Sequence, residues 1–332
     1  MIWTTWRQHR AEAGVGALIL AGLATAMLVV GSIARDRARG LGACTDARAT
    51  CGAALDALHR DFHTIPPFTA ALVALPLLAG MFWAAPLVSR EYEAGTHRLA
   101  WTQSVSPLRW IALKIVLIFG VVAAATLVLG LLATWTLNPL IPAFGGRYNS
   151  TWYDIQGIVP VACMLFALAA GVAASALIRR TIPAMAVTLV GYAAARIPIH
   201  WIRGHFAPTA TRTVTVPMSS VLQNPVPTLR PGDWQQSFTA TDASGHSIAT
   251  GNGTVGFVRH YCPNVVPNSN GEIHIDQACH AVLQNASVTE TFRFQPASHF
   301  WLVQTVESAI FITAAALLVV AAVLAVTRRR PT

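Results

Sequence analysis

Charge is scarce in this chain. Of its 332 residues, 11% are Asp, Glu, Lys or Arg and 54% are hydrophobic, whereas a soluble domain carries about 25% charged residues. That balance excludes a water-soluble globular protein and places the chain in a bilayer. Lysine is scarcer still, with Lys114 the only one, set between Leu113 and Ile115. A P-loop needs Gly-Lys-Ser/Thr so that the lysine reaches the phosphates, so this chain cannot itself hydrolyse ATP by that chemistry. His-Glu-x-x-His and Gly-x-Ser-x-Gly are both missing, and no pair of aspartates lies inside an apolar stretch. Metal-assisted and aspartyl intramembrane hydrolysis therefore lack their parts. Internal repeats and low-complexity tracts are missing as well. The chain is expected to be no enzyme, with no cofactor and no metal of its own.

What is present in quantity is long apolar sequence. Six stretches are long enough to cross a hydrocarbon core, which takes about 20 residues: 14–33, 68–88, 111–137, 157–178, 182–202 and 301–326. The fifth is the weakest, because its uncharged run stops at Arg196; its last turn is expected in the outer interface or against a polar cavity. The first has a rival reading as a cleaved signal peptide, since Ser32-Ile33-Ala34 resembles a small-residue cleavage site. Signal-peptide cores run about 7–15 residues, and the uncharged run 14–33 is longer, which favours a retained span. Ahead of it, Trp3 and Trp6 with Arg7 and Arg10 suit a short amphipathic helix over 1–12 in the inner interface, rings at the headgroups and guanidiniums among the phosphates.

Basic residues beside span ends set the orientation. With both termini in the cytosol, eleven basic residues fall inside, among them Arg90, Arg98, Arg109, Lys114, Arg179 and Arg180, against only Glu12, Glu91 and Glu93. The other twelve arginines and eleven acids fall outside and nearly cancel, so the formal charge of +9 is mostly a topology signal and does not argue for nucleic acid. Cysteine tests the same arrangement, because disulfides form on the oxidising side of a membrane. Cys44 and Cys51 lie in the first outer loop, Cys262 and Cys279 in the last, and Cys163 in the fourth span. The expected bridges are Cys44 to Cys51 and Cys262 to Cys279. Metal binding at Cys279-His280 with His274 is the rival reading, and nothing else there has zinc-ligand spacing.

The outer segments are unequal. Residues 35–67 form a moderately charged loop with a helix-like 53–62, and 138–153 is short and turn-rich. Residues 203–299 are rich in Pro, Gly, Asn, Ser and Thr and read as a β-rich extracytoplasmic domain, with strands expected over 211–216, 234–241, 253–260 and 287–294 and turns at 230–233 and 242–245. Seven histidines from His200 to His299 would make this region pH-sensitive if they are not simply scattered over its surface. The fold class is thus an all-α polytopic membrane protein of six transmembrane helices with cytosolic termini, carrying a β-rich domain between helices 5 and 6. Its parts are 1–12, the spans within 13–202, the domain 203–299, and the last span with its basic tail, 300–332.

Within the spans, Ala167, Gly171 and Ser175 fall at i, i+4 and i+8 and give the fourth helix a small-residue stripe for close approach of another helix, either from the same chain or from a second copy. Arg196 and Glu307, with Gln304 one turn before the latter, are candidates for a pathway or an outer gate; ordinary hydration at the interface is the alternative. Charge is otherwise missing at membrane depth, and the apolar walls fit a hydrophobic or amphipathic cargo better than a hydrated ion. On the inner side, the loop 89–109 holds helix formers from Arg90 to Thr102 apart from Gly95 and Thr96, followed by Ser106-Pro107, an N-cap and first helical position for the third span. A short helix, a bend and then the next membrane helix are expected.

Three strings carry a resemblance. Arg90-Glu-Tyr-Glu-Ala-Gly-Thr-His-Arg-Leu-Ala-Trp-Thr-Gln-Ser-Val-Ser-Pro-Leu-Arg-Trp-Ile-Ala-Leu-Lys114 is similar to the Glu-x-Gly-Thr loop between the second and third spans of ABC-2-type transporter permeases, the membrane subunits of bacterial ATP-binding-cassette exporters. The opening Trp3-Thr-Thr-Trp-Arg-Gln-His-Arg10 and the string from Phe294 to Glu307 resemble a bacterial subfamily of them. The resemblance implies a half-transporter in the bacterial plasma membrane that pairs with itself or a related permease and binds a separate ABC ATPase subunit, where ATP and Mg would be held. It implies that a helix over 91–101 is the coupling helix, with Arg90, Glu91, Glu93, Gly95, Thr96, Arg98 and Trp101 facing the ATPase, and that Trp3, Trp6, Arg7 and Arg10 lean on the same partner. The outer domain departs from the short outer segment of many such permeases. A membrane sensor or accessory protein that uses this domain to bind a ligand is the alternative function.

Overall fold

The computed structural model describes residues 2–39, 48–65, 69, 72–95, 106–218, 229–230, 232–248, 254–263, 265 and 275–328, apart from the side chains of 2–13, 48–52, 107, 151 and 254–255. The chain divides into two compact units, one of residues 1–206 with 300–332 and one of 207–299.

The first unit is a helix bundle. Helix α1 (Ile2–Ala38) runs unbroken from the expected interfacial segment through the first apolar stretch, and α2 (Arg48–Asp61) follows within 35–67. The second stretch reads as α3 (Leu75–Ala79), a π turn over Gly80–Ala84, and α4 (Pro86–Glu93). Pro86 explains the π turn: it has no N–H for Phe82 and its ring would press on that carbonyl. The Ala85 N–H instead reaches back to the Gly80 carbonyl at 2.9 Å, one residue further than in an α-helix. Then come α5 (Pro107–Leu137), α6 (Ser150–Tyr153), α7 (Val159–Ile178), α8 (Thr181–Ile202) and, after the second unit, α11 (Phe300–Arg328). Among the described residues five helices are long and apolar enough to cross a membrane, matching the first, third, fourth, fifth and sixth stretches.

Helix α7 is the centre of the bundle. Inside the molecule 72% of its apolar window is buried, against 17–28% for the other four. Its small-residue stripe is consumed within the chain. A Cβ on Gly171 would stand 2.4 Å from the Gly80 carbonyl oxygen, and one on Gly80 would stand 2.6 Å from the Ala167 carbonyl oxygen. The two backbones therefore touch where the π turn widens, and the Ser89 N–H donates to Ser175 Oγ at 2.7 Å further along. Of the two partners open to this stripe, the chain's own second apolar stretch occupies it.

The second unit is a four-stranded antiparallel sheet in the order β1-β4-β2-β3, made of β1 (Ala210–Pro217), β2 (Trp234–Thr241), β3 (Ser247–Ile248) and β4 (Ser287–Gln295). Three of the expected strands are present. The fourth, 253–260, is instead a helix, α9 (Thr254–Tyr261). Phe257 and Val258 are neighbours and both buried, which a helix face accommodates and the alternation of a strand does not. Helix α10 (Gln277–Asn285), capped by the Asp276 carboxylate accepting from the Cys279 N–H at 2.7 Å, was not expected. Val258, Leu283, Met218, Ile248 and Val288 form the core, and the Cys262–Cys279 bridge joins α9 to α10.

Candidate functional site

At one end of the bundle, α4 stops at Glu93 because Gly95 turns left-handed, with φ +68°. A helix running through 91–101 is therefore not formed; Thr96, Arg98 and Trp101 lie outside the described residues. What precedes the stop is an elbow of three consecutive side chains, each held by a different span. Glu91 pairs with Lys114 of α5, whose ammonium also sits 4.4 Å over the Trp110 ring. Tyr92 lies under the guanidinium of Arg179, 4.7 Å away, where α7 ends in a left-handed residue. The Glu93 carboxylate accepts from the Thr181 N–H at 2.9 Å and from its hydroxyl at 2.8 Å, capping the first turn of α8. Those two Thr181 bonds hold the Glu93 carboxyl below its usual range, while burial raises the Tyr92 phenol. Arg90 is exposed. Beyond the elbow, Ser106 caps α5 by accepting from the Arg109 N–H at 3.3 Å.

At the other end, four charges meet in the interior. Arg196 of α8 donates through its two terminal nitrogens to Asp154, just after α6, and to Glu307 of α11, each at 2.5 Å. Arg203, in the 3-10 turn that ends α8, reaches the same two oxygens at 2.6 and 3.2 Å. Glu307 is 0% exposed and the Arg203 side chain 3%, while Arg196 and Asp154 keep 11% and 7%. Two cations balance two anions, as burial demands. The Arg203 guanidinium stacks on Tyr153 at 4.2 Å, and burial beside Glu307 pushes that phenol up. The reading of the spans as uncharged walls is thus corrected: the region of Arg196 and Glu307 is buried and ionic, not hydrated interface. Gln304 stands behind this network. Its Oε1 accepts from the Ile158 and Val159 N–H groups at 2.9 and 3.2 Å, and its Nε2 donates to the Tyr153 and Gln156 carbonyls, both at 3.2 Å. It caps α7, whose N-cap residue Ile158 offers no side-chain acceptor.

Asp154 and Arg203 were missed in the sequence because both fall outside the span limits. The spacing of Arg196 and Arg203, seven residues apart and so on one helix face, is the signal that finds them: two cations on one face need two carboxylates. Trp3, Trp6, Arg7 and Arg10 belong to α1, whose first residues have no described side chains, and the expected Cys44–Cys51 bridge lies outside the described residues. In the sheet unit, His246 and His260 both face Asp242, the latter at 3.0 Å, and hydrogen bonds led by that from Ser244 hold this carboxyl well below its ordinary range.

A family model described as ABC-2 membrane transporter related matches residues 17–203, more than half of the chain. No curated protein and no solved structure matches it.

Proposed function

Since the chain belongs to the ABC-2 membrane transporter related family, we propose that it is the permease subunit of an ATP-driven exporter, working as a dimer with a separate ATPase that holds ATP and Mg. The observation that carries this reading is the elbow. Glu91, Tyr92 and Glu93 are fixed to α5, α7 and α8 respectively, so a push on Arg90 to Gly95 reaches three spans through rigid contacts no longer than a side chain. A solvated surface turn needs no such anchoring. A lever that joins several spans is the form in which one subunit's closure can bias the inward and outward states of another. The excess of basic residues near this end supports a cytosolic location, on the ATP side. The largely apolar interior favours a hydrophobic or amphipathic cargo taken from the cytosol or inner leaflet.

The test is to co-express the chain with candidate ABC ATPases, isolate the complex in nanodiscs and measure ATP hydrolysis and export. Co-purification is expected, with hydrolysis stimulated by the permease and Glu93→Gln cutting the stimulation at least threefold while leaving the complex assembled. Gly95 separates conformation from crowding: among the described residues nothing lies within 4 Å of where its Cβ would be, so Gly95→Asn, which tolerates the left-handed region, should retain coupling and Gly95→Val should lose it. Full stimulation in both Glu93→Gln and Gly95→Val overturns the reading.

A further inference from the structure

Two cavities lie side by side in the bundle and share Met27, Leu72, Ala133 and Ile155. The larger holds about 250 Å³ and is walled by α1, the outer loop and α5, with Val30, Ile65 and Leu137 among its apolar lining. The smaller holds about 60 Å³ and is where the apolar walls of Leu75, Leu129 and Met164 meet Asp154, Tyr192 and Arg196. Together they approach the lower end of small-molecule sites, about 300 Å³. The two halves differ in kind: the smaller has room for roughly two waters' worth of atoms, at about 30 Å³ each, beside a donor and an acceptor. The larger is the place for an apolar body.

Charge decides what head fits. The Arg196 and Asp154 side chains line the smaller cavity and keep 11% and 7% of their surface, while Glu307 behind them keeps none. Their network is already neutral, two guanidiniums against two carboxylates. A head with a unit charge would leave that charge uncompensated in a site screened from water, a penalty of several kcal/mol. An uncharged head that both donates and accepts meets Asp154 with its N–H or O–H and Arg196 with its carbonyl or hydroxyl oxygen. We infer that this paired cavity is a binding site, within a single protomer, for a neutral single-chain amphiphile with a small amide- or hydroxyl-type head against Asp154 and Arg196 and its chain between α1 and α5. As cargo the amphiphile rests on the permease reading; as a ligand it does not, and its test uses no ATPase.

The experiment is photolabelling of the full chain in nanodiscs with three probes that carry a diazirine two carbons from the head on the same ten-carbon chain: decanamide, decanoate and decylammonium. Labelled peptides are read by mass spectrometry, and the lipid-facing positions Val116, Val121 and Leu131, 69%, 69% and 60% exposed, report bulk lipid in every sample. Decanamide is expected to label around Leu129 and Met164 at least fivefold more than either charged probe. Excess unlabelled decanamide should remove that label and spare the lipid-facing label. Leu129→Trp, which fills the smaller cavity, should lower it at least fivefold. Equal labelling by all three heads means that lipid chains simply fill the cleft and overturns the inference. So does label confined to the lipid-facing positions, or label at Met164 that excess decanamide does not displace. The competition in the unaltered chain decides the matter even if Leu129→Trp folds poorly. Loss of this label with ATPase stimulation intact rejects the ligand and keeps the permease; the converse rejects the permease and keeps the ligand.

Discussion

Arg196 and Glu290 are both charged and both buried, and they are expected to respond to substitution in opposite ways. Removing Arg196 leaves Asp154 and Glu307 sharing only Arg203, so Arg196→Met should destabilise the bundle by roughly 3–5 kcal/mol, the range for a buried pair broken on one side. Adding Glu307→Leu to Arg196→Met restores the balance, one cation against one anion, and should recover most of the loss; a double-mutant cycle on unfolding in nanodiscs measures it. Glu290 stands on β4 between the core residues Val288 and Phe292, paired across the sheet with Val214 and Ala240, and desolvation raises its carboxyl above the ordinary value. An acid with a raised folded pKa favours folding below its unfolded value, near 4.3, and this advantage is lost as pH rises through the folded value. Glu290→Gln should therefore raise the melting temperature at neutral pH by several degrees, since about 1 kcal/mol moves a domain of this size by roughly 4–8 °C. At pH 4 the gain should disappear, which a melting series from pH 4 to 8 will show.

Among the elements, α7 and the second apolar stretch meet backbone to backbone. Gly171→Val puts methyl groups where the Gly80 carbonyl, the Ala84 Cβ and the Ala85 nitrogen already stand within 3 Å of a Cβ. The backbone must part, and the expected outcome is loss of the monodisperse folded chain by size-exclusion chromatography, with Gly171→Ala less severe. The stripe itself was legible as Ala167, Gly171 and Ser175; its partner was not, because the π turn depends on Pro86 acting on a carbonyl four residues earlier, in a stretch that otherwise reads as one apolar run. The long helices were legible from length and hydropathy, and three strands from alternation. Helix α9 was not, since Val255 and Phe257 on either side of Gly256 alternate as in a strand until the burial of Val258 beside Phe257 is known. The elbow was legible in its residue types, while its pairings were not: Glu93 and Thr181 are 88 positions apart, and no local spacing joins them.

Over the whole molecule, the ionic network lies beside the two points where the bundle's chain is interrupted by the inserted unit. The chain leaves the bundle after Arg203 and returns before Glu307, and these two side chains meet at 3.2 Å. The turn that ends α8 also has Cα atoms within 8 Å of α11, a gap that a flexible linker of roughly two to four residues spans. Excision of 207–299 with a Gly-Ser bridge should leave a folded bundle with helix content and melting behaviour close to those of the bundle in the full chain, as seen by circular dichroism and calorimetry. An unfolded product would show that the strands help to fold the spans. The clasp made by Arg203 and Glu307 thus acts as a seam: both ends of the insertion are closed by side chains of the bundle itself, so a change in the length of 207–299 calls for no matching change in the spans.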